Sequence, residues 1–206
     1  MILYYILLPI IWVLWHLLWR IRVTGRENLV RGRGYVIAAN HISDLDPVFI
    51  VLARFGARMQ ILAKAELFKN PLVGGFLGCF GAIPIARGKG DTRTIDKVID
   101  RCRQGAGLLI FPEGTRTKTG EIGPLKSGAF VIAGQAGVDM VPCRIVYGSR
   151  DGKMHLFCRV HICFGPVIPA AELKVEDPKH AMAALRGIKH RLLDEWDALY
   201  RSDSQK

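Results

Sequence analysis

The chain has 206 residues, room for one full core and one appended element. Half of the residues are hydrophobic and 23% are charged, which excludes both a disordered tail and a polytopic membrane protein. The formal charge of +11 suits nucleic acid, an anionic membrane surface or a phosphorylated substrate.

The first predicted element is the most apolar. From Met1 to Trp19 no side chain is formally charged, His16 aside, and a helix there reaches roughly 28 Å, borderline for crossing a bilayer. With no basic segment before it and no A-x-A site after it, the run is expected to be retained rather than cleaved as a signal peptide. Tyr4, Tyr5, Trp12, Trp15 and Trp19 lie within it, and Arg20, Arg22, Arg26, Arg31 and Arg33 follow. That is the pattern of a membrane anchor facing anionic headgroups, and if the helix spans, the basic bias puts the rest of the chain in the cytoplasm. The competing reading is a buried core helix of a soluble protein. Residues 1–22 are therefore assigned to the anchor and 23–206 to the main domain.

Tyr35 to Asn40 reads as a short buried strand, followed by NHISDLDP and a helical run from Val48 to Phe55. Met59 to Ala63 is a second strand, Pro71 to Cys79 a Gly-rich apolar helix or membrane-facing loop, and Ala82 to Ile85 a third strand. Between Thr92 and Arg103 the residues Ile95, Val98, Ile99 and Cys102 recur at helical spacing, which predicts an amphipathic surface helix. Gly107 to Phe111 is a continuous apolar run emptying into PEGTR, as in a fully buried strand. A helix is predicted from Ser127 to Gln135 with Ser127 as its cap. Met140 to Tyr147 and His155 to Phe164 are longer strands around Gly148 to Lys153, whose Asp151-Gly152 pair signals a hairpin and an antiparallel turn of the sheet. The last helix, about Asp177 to Arg201, carries Met182, Leu185, Ile188, Leu192, Trp196 and Leu199 on one face. Together these elements predict an α/β fold: a mostly parallel mixed sheet flanked by helices, with an N-terminal hydrophobic membrane-anchoring helix. Sites in such sheets lie at the carboxyl ends of strands.

His41 and Asp46 are five residues apart, a spacing that puts them on different faces of a continuous helix, so they meet only across a loop or tight turn. Asp46-Pro47 is a good helix start, and the plain alternative is an Asp46 cap beside a loop histidine. A His held by a carboxylate can take a proton from an alcohol, and no G-x-S-x-G elbow nominates a nucleophile, so direct attack by a substrate hydroxyl fits better than an acyl-enzyme. FPEGTR reads either as a Pro-Gly turn or as a phosphate-binding loop in which Arg116 offers a planar fork. Arg87 and Lys126 are further cations at element junctions, each unremarkable alone. No metal site is expected, because a third ligand beside His41 and Asp46 is lacking. The five cysteines, odd in number and without a C-x-x-C pair, read as reduced core residues. No recognition helix or aromatic ribonucleoprotein motif supports nucleic-acid binding.

The ordered set NHISDLD (40–46), AKAELFKNPLVG (63–74), GAIPIAR (81–87), FPEGTR (111–116), PLKSGAF (124–130) and VPC (141–143) resembles the glycerophospholipid acyltransferases, most closely bacterial 1-acyl-sn-glycerol-3-phosphate acyltransferases. The resemblance implies that residues 23–206 are an acyltransferase domain with His41 as base and Asp46 as its orienting partner. It implies that Glu113, Gly114, Thr115 and Arg116 belong to the acceptor site, that Arg87 binds the glycerol phosphate with Lys126 as helper, and that Lys64 is a basic residue near the site. The implied substrates are a lysophospholipid acceptor and an acyl-CoA or acyl-carrier-protein donor, with no cofactor. Membrane lipids are the implied partners, and a bacterial inner membrane with the catalytic domain on its cytoplasmic side the implied location. Another lysolipid acceptor, or a noncatalytic membrane-binding role, is the alternative. Two departures stand out: Cys143 after Val141-Pro142, and Pro84-Ile85-Ala86 before Arg87, which bears on acceptor preference.

Overall fold

The computed structural model describes residues 2–29, 32–54, 58–86, 91–117, 121–174 and 181–204. In chain order the elements are α1 (Ile2–Leu18), β1 (Arg20–Thr24), β2 (Tyr35–Ala39), α2 (Asp46–Ala53), β3 (Met59–Lys64), α3 (Pro71–Cys79), β4 (Ala82–Ile85), α4 (Thr92–Arg103), β5 (Gly107–Ile110), α5 (Gly128–Ala136), β6 (Asp139–Tyr147), β7 (Arg159–Phe164), α6 (Ala170–Leu173) and α7 (Ala181–Ser204). The strands of the described residues form one sheet in the order β1-β7-β6-β2-β5-β3-β4. Every neighbouring pair is parallel except β6 and β7, which are antiparallel across the Gly148–Lys153 turn, as the Asp151-Gly152 signal predicts.

Alternation along the buried strands divides the core in two. Ile37, Leu109, Val141, Ile145 and Ile162 face a layer made by Tyr4, Leu8 and Ile11 of α1, Trp19, and Phe49 and Ile50 of α2. Val36, Ala38, Leu108 and Met140 face the other way, onto Val98, Ile99 and Cys102 of α4, Phe130 and Ala133 of α5, and Ile188, Leu192 and Trp196 of α7. The helix following β2 thus covers one face and the helix following β5 the other. β2 and β5 are adjacent and parallel, so a crevice opens where their outgoing loops part, the place where ligands bind in open α/β sheets.

Several boundaries differ from expectation, each for a local reason. Helix α2 begins at Asp46, not Val48, because Pro47 supplies helical φ in the first turn. Leu45 occupies the cap position without a side-chain bond, so Asp46 does not cap this helix. Ser127 already has helical dihedrals and makes no cap bond, whereas Asn70 does cap α3, accepting from Leu72 N at 3.0 Å and Val73 N at 3.3 Å. Pro71–Cys79 is therefore a helix. β7 starts at Arg159 because residues 154–158 instead wrap against the end of α1, with Phe157 N–H donating to Leu18 O at 2.9 Å.

The N-terminal region departs most. Arg20–Thr24, the expected basic flank, is an edge strand in register with Arg159–Cys163 of β7, so the boundary placed at residue 22 falls inside β1. No helix among the described residues is long and apolar enough to cross a membrane. Helix α1 has 17 residues, about 26 Å at 1.5 Å per residue, short of a hydrocarbon core of about 30 Å. One side of α1 is built into the core, with Tyr4 1% and Leu8 3% exposed, while Tyr5, Ile6, Ile10, Val13, Leu14 and Leu17 face outward. The cysteines are all free thiols, with Cys102, Cys143 and Cys163 buried; burial pushes the Cys102 thiol up to about 11.

Candidate active site

His41 leaves the carboxyl end of β2 through Asn40, which is 2% exposed and binds β6 twice. Asn40 Nδ2 donates to Ile145 O at 3.1 Å, and Ile145 N–H donates to Asn40 Oδ1 at 2.8 Å. The chain then turns at once: Asp46 N–H donates to Ser43 O at 3.1 Å, and Leu45 N–H to Ser43 Oγ at 3.2 Å. This tight turn lets residues five apart meet. His41 Nδ1 lies 2.9 Å from Asp46 Oδ2, which also accepts the backbone N–H groups of Ile42 at 2.6 Å and Ser43 at 2.8 Å. Asp46 Oδ1 accepts the phenolic O–H of Tyr147 at the end of β6. Asp46 is fully buried, so its charge is held by these donors instead of water. With Nδ1–H donated to Asp46, Nε2 is the ring nitrogen left to accept a proton.

The imidazole is held from two more directions. Its ring stacks on Phe111 with centroids 4.1 Å apart and planes at 21°. Its backbone N–H donates to Glu113 Oε1 at 2.8 Å, and Thr117 N–H donates to His41 O at 2.9 Å. The second Glu113 oxygen accepts Gly123 N–H at 2.8 Å. Burial pushes the Glu113 carboxyl above the usual range, opposed by the hydrogen bonds from the backbones of Gly123 and His41 and by the Arg144 guanidinium. Burial likewise raises the Tyr147 phenol, and the neighbouring Asp46 carboxylate adds to the effect.

His41 opens onto a cavity of about 420 Å³. Its lining includes the apolar side chains of Val48, Val51, Ile61, Leu77 and Phe80 and the polar ones of Lys64, Thr115 and Arg116. Arg116 Nη1 donates to Asp44 Oδ2 at 2.6 Å, both side chains more than half exposed, which leaves the rest of its fork for another anion. Lys64 is loosely paired with Glu66 at 3.7 Å. Gly114 has φ +70°, and a Cβ there would fall 2.8 Å from Lys126 Nζ, so the glycine gives the lysine its path across the loop.

Of the residues nominated from sequence, His41, Lys64, Thr115 and Arg116 line this cavity, Asp46 is buried against His41, and Gly114 and Lys126 lie beside Thr115. Glu113 turns inward and holds the His41 backbone. Arg87 lies outside the described residues. Sequence reasoning missed Asn40, Phe111 and Tyr147. A polar residue ending a buried strand was a usable signal for Asn40; nothing local marks Tyr147, which is 101 residues from Asp46. Among the described residues no group of three His, Cys, Asp or Glu side chains could hold a metal ion.

A 1-acyl-sn-glycerol-3-phosphate acyltransferase of Bacillus subtilis is 29% identical over 165 residues, covering 80% of this chain and 82% of that protein. A chloroplast 1-acyl-sn-glycerol-3-phosphate acyltransferase of Brassica napus is 35% identical over 129 residues, 60% of this chain and 36% of that one, so the chain spans about a third of that longer relative. A lyso-ornithine lipid O-acyltransferase of Pseudomonas aeruginosa is 37% identical over 115 residues, 55% of this chain and 43% of its own. In fold the chain is similar to the crystal structure of the 1-acyl-sn-glycerophosphate acyltransferase PlsC of Thermotoga maritima, with a TM-score of 0.65 at 20% identity over 89% of this chain and 72% of that one. The family pattern described as Acyltransferase matches residues 20–146, from β1 to within one residue of Tyr147, and takes in the His41 turn, the cavity walls and the FPEGTR loop. The chain belongs to this acyltransferase family.

Proposed function

We propose that the protein transfers a fatty acyl group from a thioester, acyl-CoA or acyl-carrier protein, to the sn-2 hydroxyl of 1-acyl-sn-glycerol-3-phosphate, giving phosphatidate. The observation that carries this reading is the His41–Asp46 contact beside a cavity lined both by apolar side chains and by the cations Lys64 and Arg116. His41 Nε2 takes the hydroxyl proton as the substrate oxygen attacks the thioester carbonyl, and Asp46 stabilises the imidazolium. The tetrahedral intermediate then expels the thiolate, which takes that proton from His41, so the products are an ester and a free thiol. Arg116, Lys64 and Lys126 supply positive charge for the acceptor phosphate; by family resemblance Arg87 joins them.

The acceptor and the acyl chains belong to a bilayer, and α1 supplies a means of staying there. Its outer face is a strip of exposed Tyr, Ile, Val and Leu along a helix whose inner face is fixed to the domain. That arrangement suits a helix lying in the membrane interface, with Arg20 and Arg22 just beyond it for anionic headgroups. The cytoplasmic side of a bacterial inner membrane, where acyl thioesters are made, is the location that fits.

A second acceptor class is favoured by the likeness to the lyso-ornithine lipid enzyme: a lyso-aminolipid handled by the same His41–Asp46 pair. Purified protein is to be assayed with lysophosphatidate and lyso-ornithine lipid, each with acyl-CoA and acyl-carrier protein. Lysophosphatidate is expected to be the preferred acceptor, Arg116→Ala to raise its KM, and His41→Ala to lower kcat by about 10² to 10⁴. An active His41→Ala variant would sink the mechanism, and preference for lyso-ornithine lipid with an unchanged KM in Arg116→Ala would sink the acceptor assignment.

A further inference from the structure

A second apolar projection stands beside the end of α1. In the hairpin between β6 and β7, Leu156 is 63% and Phe157 67% exposed, and the adjacent Leu17 is 70% exposed. Isolated exposed apolar residues are ordinary on protein surfaces, but a contiguous patch is not. Phe157 is also the one non-glycine residue among the described residues with positive φ, at +63°. Bulky residues rarely adopt that conformation, and here it turns an aromatic ring outward rather than into the core.

The projection is fixed, not loose. Phe157 N–H donates to Leu18 O at 2.9 Å, Trp19 Nε1 donates to His155 O at 2.8 Å, and Arg20 N–H donates to Cys158 O at 3.3 Å. These three bonds tie residues 155–158 to the end of α1 and the start of β1, so the hairpin tip and the outer face of α1 move as one body. The charges around it are mostly positive: Arg150 and Lys153 within the hairpin, Arg159 after it, and Arg20 beside it. The hairpin's one carboxylate, Asp151, is engaged by His155 Nε2 and Ser149 Oγ, each at 3.0 Å. Lys153 and Met154 in turn border a shallow hollow shared with Asp44 and Arg116, at the mouth of the active site.

We propose that Leu156 and Phe157 form a membrane-insertion wedge that enters an anionic bilayer beside α1 and holds the mouth of the active site at headgroup depth. The occupant is a lipid surface because an aliphatic–aromatic pair bordered by cations matches acyl chains below phosphate, and because the patch is continuous with the outer face of α1. The proposal rests on the reading of α1 as an interfacial helix. Leu67 and Phe76 line the cavity while remaining about half exposed, so apolar surface reaches the cavity itself.

The test uses the full chain and vesicles of phosphatidylglycerol mixed with phosphatidylcholine, with binding read by flotation. Leu156→Ser/Phe157→Gly removes the wedge while glycine suits the positive φ, so the variant is expected to fold with an unchanged thermal midpoint. Its vesicle partition should fall by about tenfold. Activity on a short-chain, monomeric acceptor should stay at the wild-type level while activity on vesicle-borne acceptor falls. Wild-type partition in the double variant, with the wild-type protein binding, overturns the wedge and leaves α1 as the contact. Failure of the wild-type protein itself to bind vesicles overturns both the wedge and the interfacial reading of α1. A loss of self-association in the double variant by sedimentation, without a change in vesicle binding, would identify the patch as a contact between copies and also overturn the proposal.

Discussion

Asp46 shows how much a single buried carboxylate organises. Its two oxygens accept from His41 Nδ1, from the N–H groups of Ile42 and Ser43, and from Tyr147, so one side chain both shapes the turn and orients the His41 ring. Tyr147 reaches His41 through Asp46 and is a positioning residue. Replacing it by Phe withdraws one donor from the carboxylate and loosens its hold on the His41 ring. The Tyr147→Phe variant should therefore lose about threefold to tenfold in kcat with little change in KM. A kcat equal to that of the wild type would remove Tyr147 from the mechanism.

Glu113 gives a second prediction at this scale. Burial lifts its folded-state pKa even though Gly123, His41 and Arg144 favour the anion. A raised folded pKa means that the native state binds the proton more readily than the unfolded chain. The resulting stability is fully present below the ordinary carboxyl value of about 4.3 and is lost as pH rises through the elevated one. Urea midpoints of wild type and Glu113→Gln, measured from below pH 4 to neutrality, should show that decline in the wild type and a flatter profile in the variant. Parallel profiles would mean that Glu113 does not titrate as its burial implies.

Among the elements, α7 is the one whose role was most legible: a strip of apolar residues on one face of a charged helix. Ile188, Leu192 and Trp196 are buried as that strip requires, while the side chain of Met182 lies outside the described residues. Trp196 is fully buried, and its Nε1 donates to Ala38 O at 3.2 Å, on the strand that carries His41. Trp196→Ala should destabilise the fold by about 3–5 kcal/mol in chemical denaturation, as expected for a large buried side chain. β1 was illegible for the complementary reason. Arg20 and Arg22 alternate with Ile21 and Val23, so two of the strand's five residues are charged, and only pairing with β7 makes it part of the sheet.

For the whole molecule, α1 is at once core and surface. Tyr4 packs on Phe80 with ring centroids 5.5 Å apart, and Trp15 and Trp19 flank Phe49. Removal of residues 1–18 should therefore do more than weaken membrane attachment. It uncovers Phe49 and Phe80, and the truncated chain is expected to melt at a lower temperature and to aggregate without detergent. A truncated chain as soluble and as thermostable as the full one would show that α1 is a detachable anchor.

By itself the sequence determined the α/β class, the hairpin between β6 and β7, and the positions of α4 and α7. Periodicity, cap residues and turn pairs are local and act over a few residues. It also nominated His41, Lys64, Thr115 and Arg116, which the fold brings to one cavity, because each lies in or beside a short contiguous motif. Only the tertiary structure decided that Asp46 shapes its own turn instead of capping a helix, that Glu113 faces the His41 backbone rather than the cavity, and that Tyr147 completes the site. The last two contacts join residues 72 and 101 positions apart, and no local pattern encodes them. The same holds for α1, whose apolar run reads equally as anchor or core until the sheet is assembled and one face is seen to be covered.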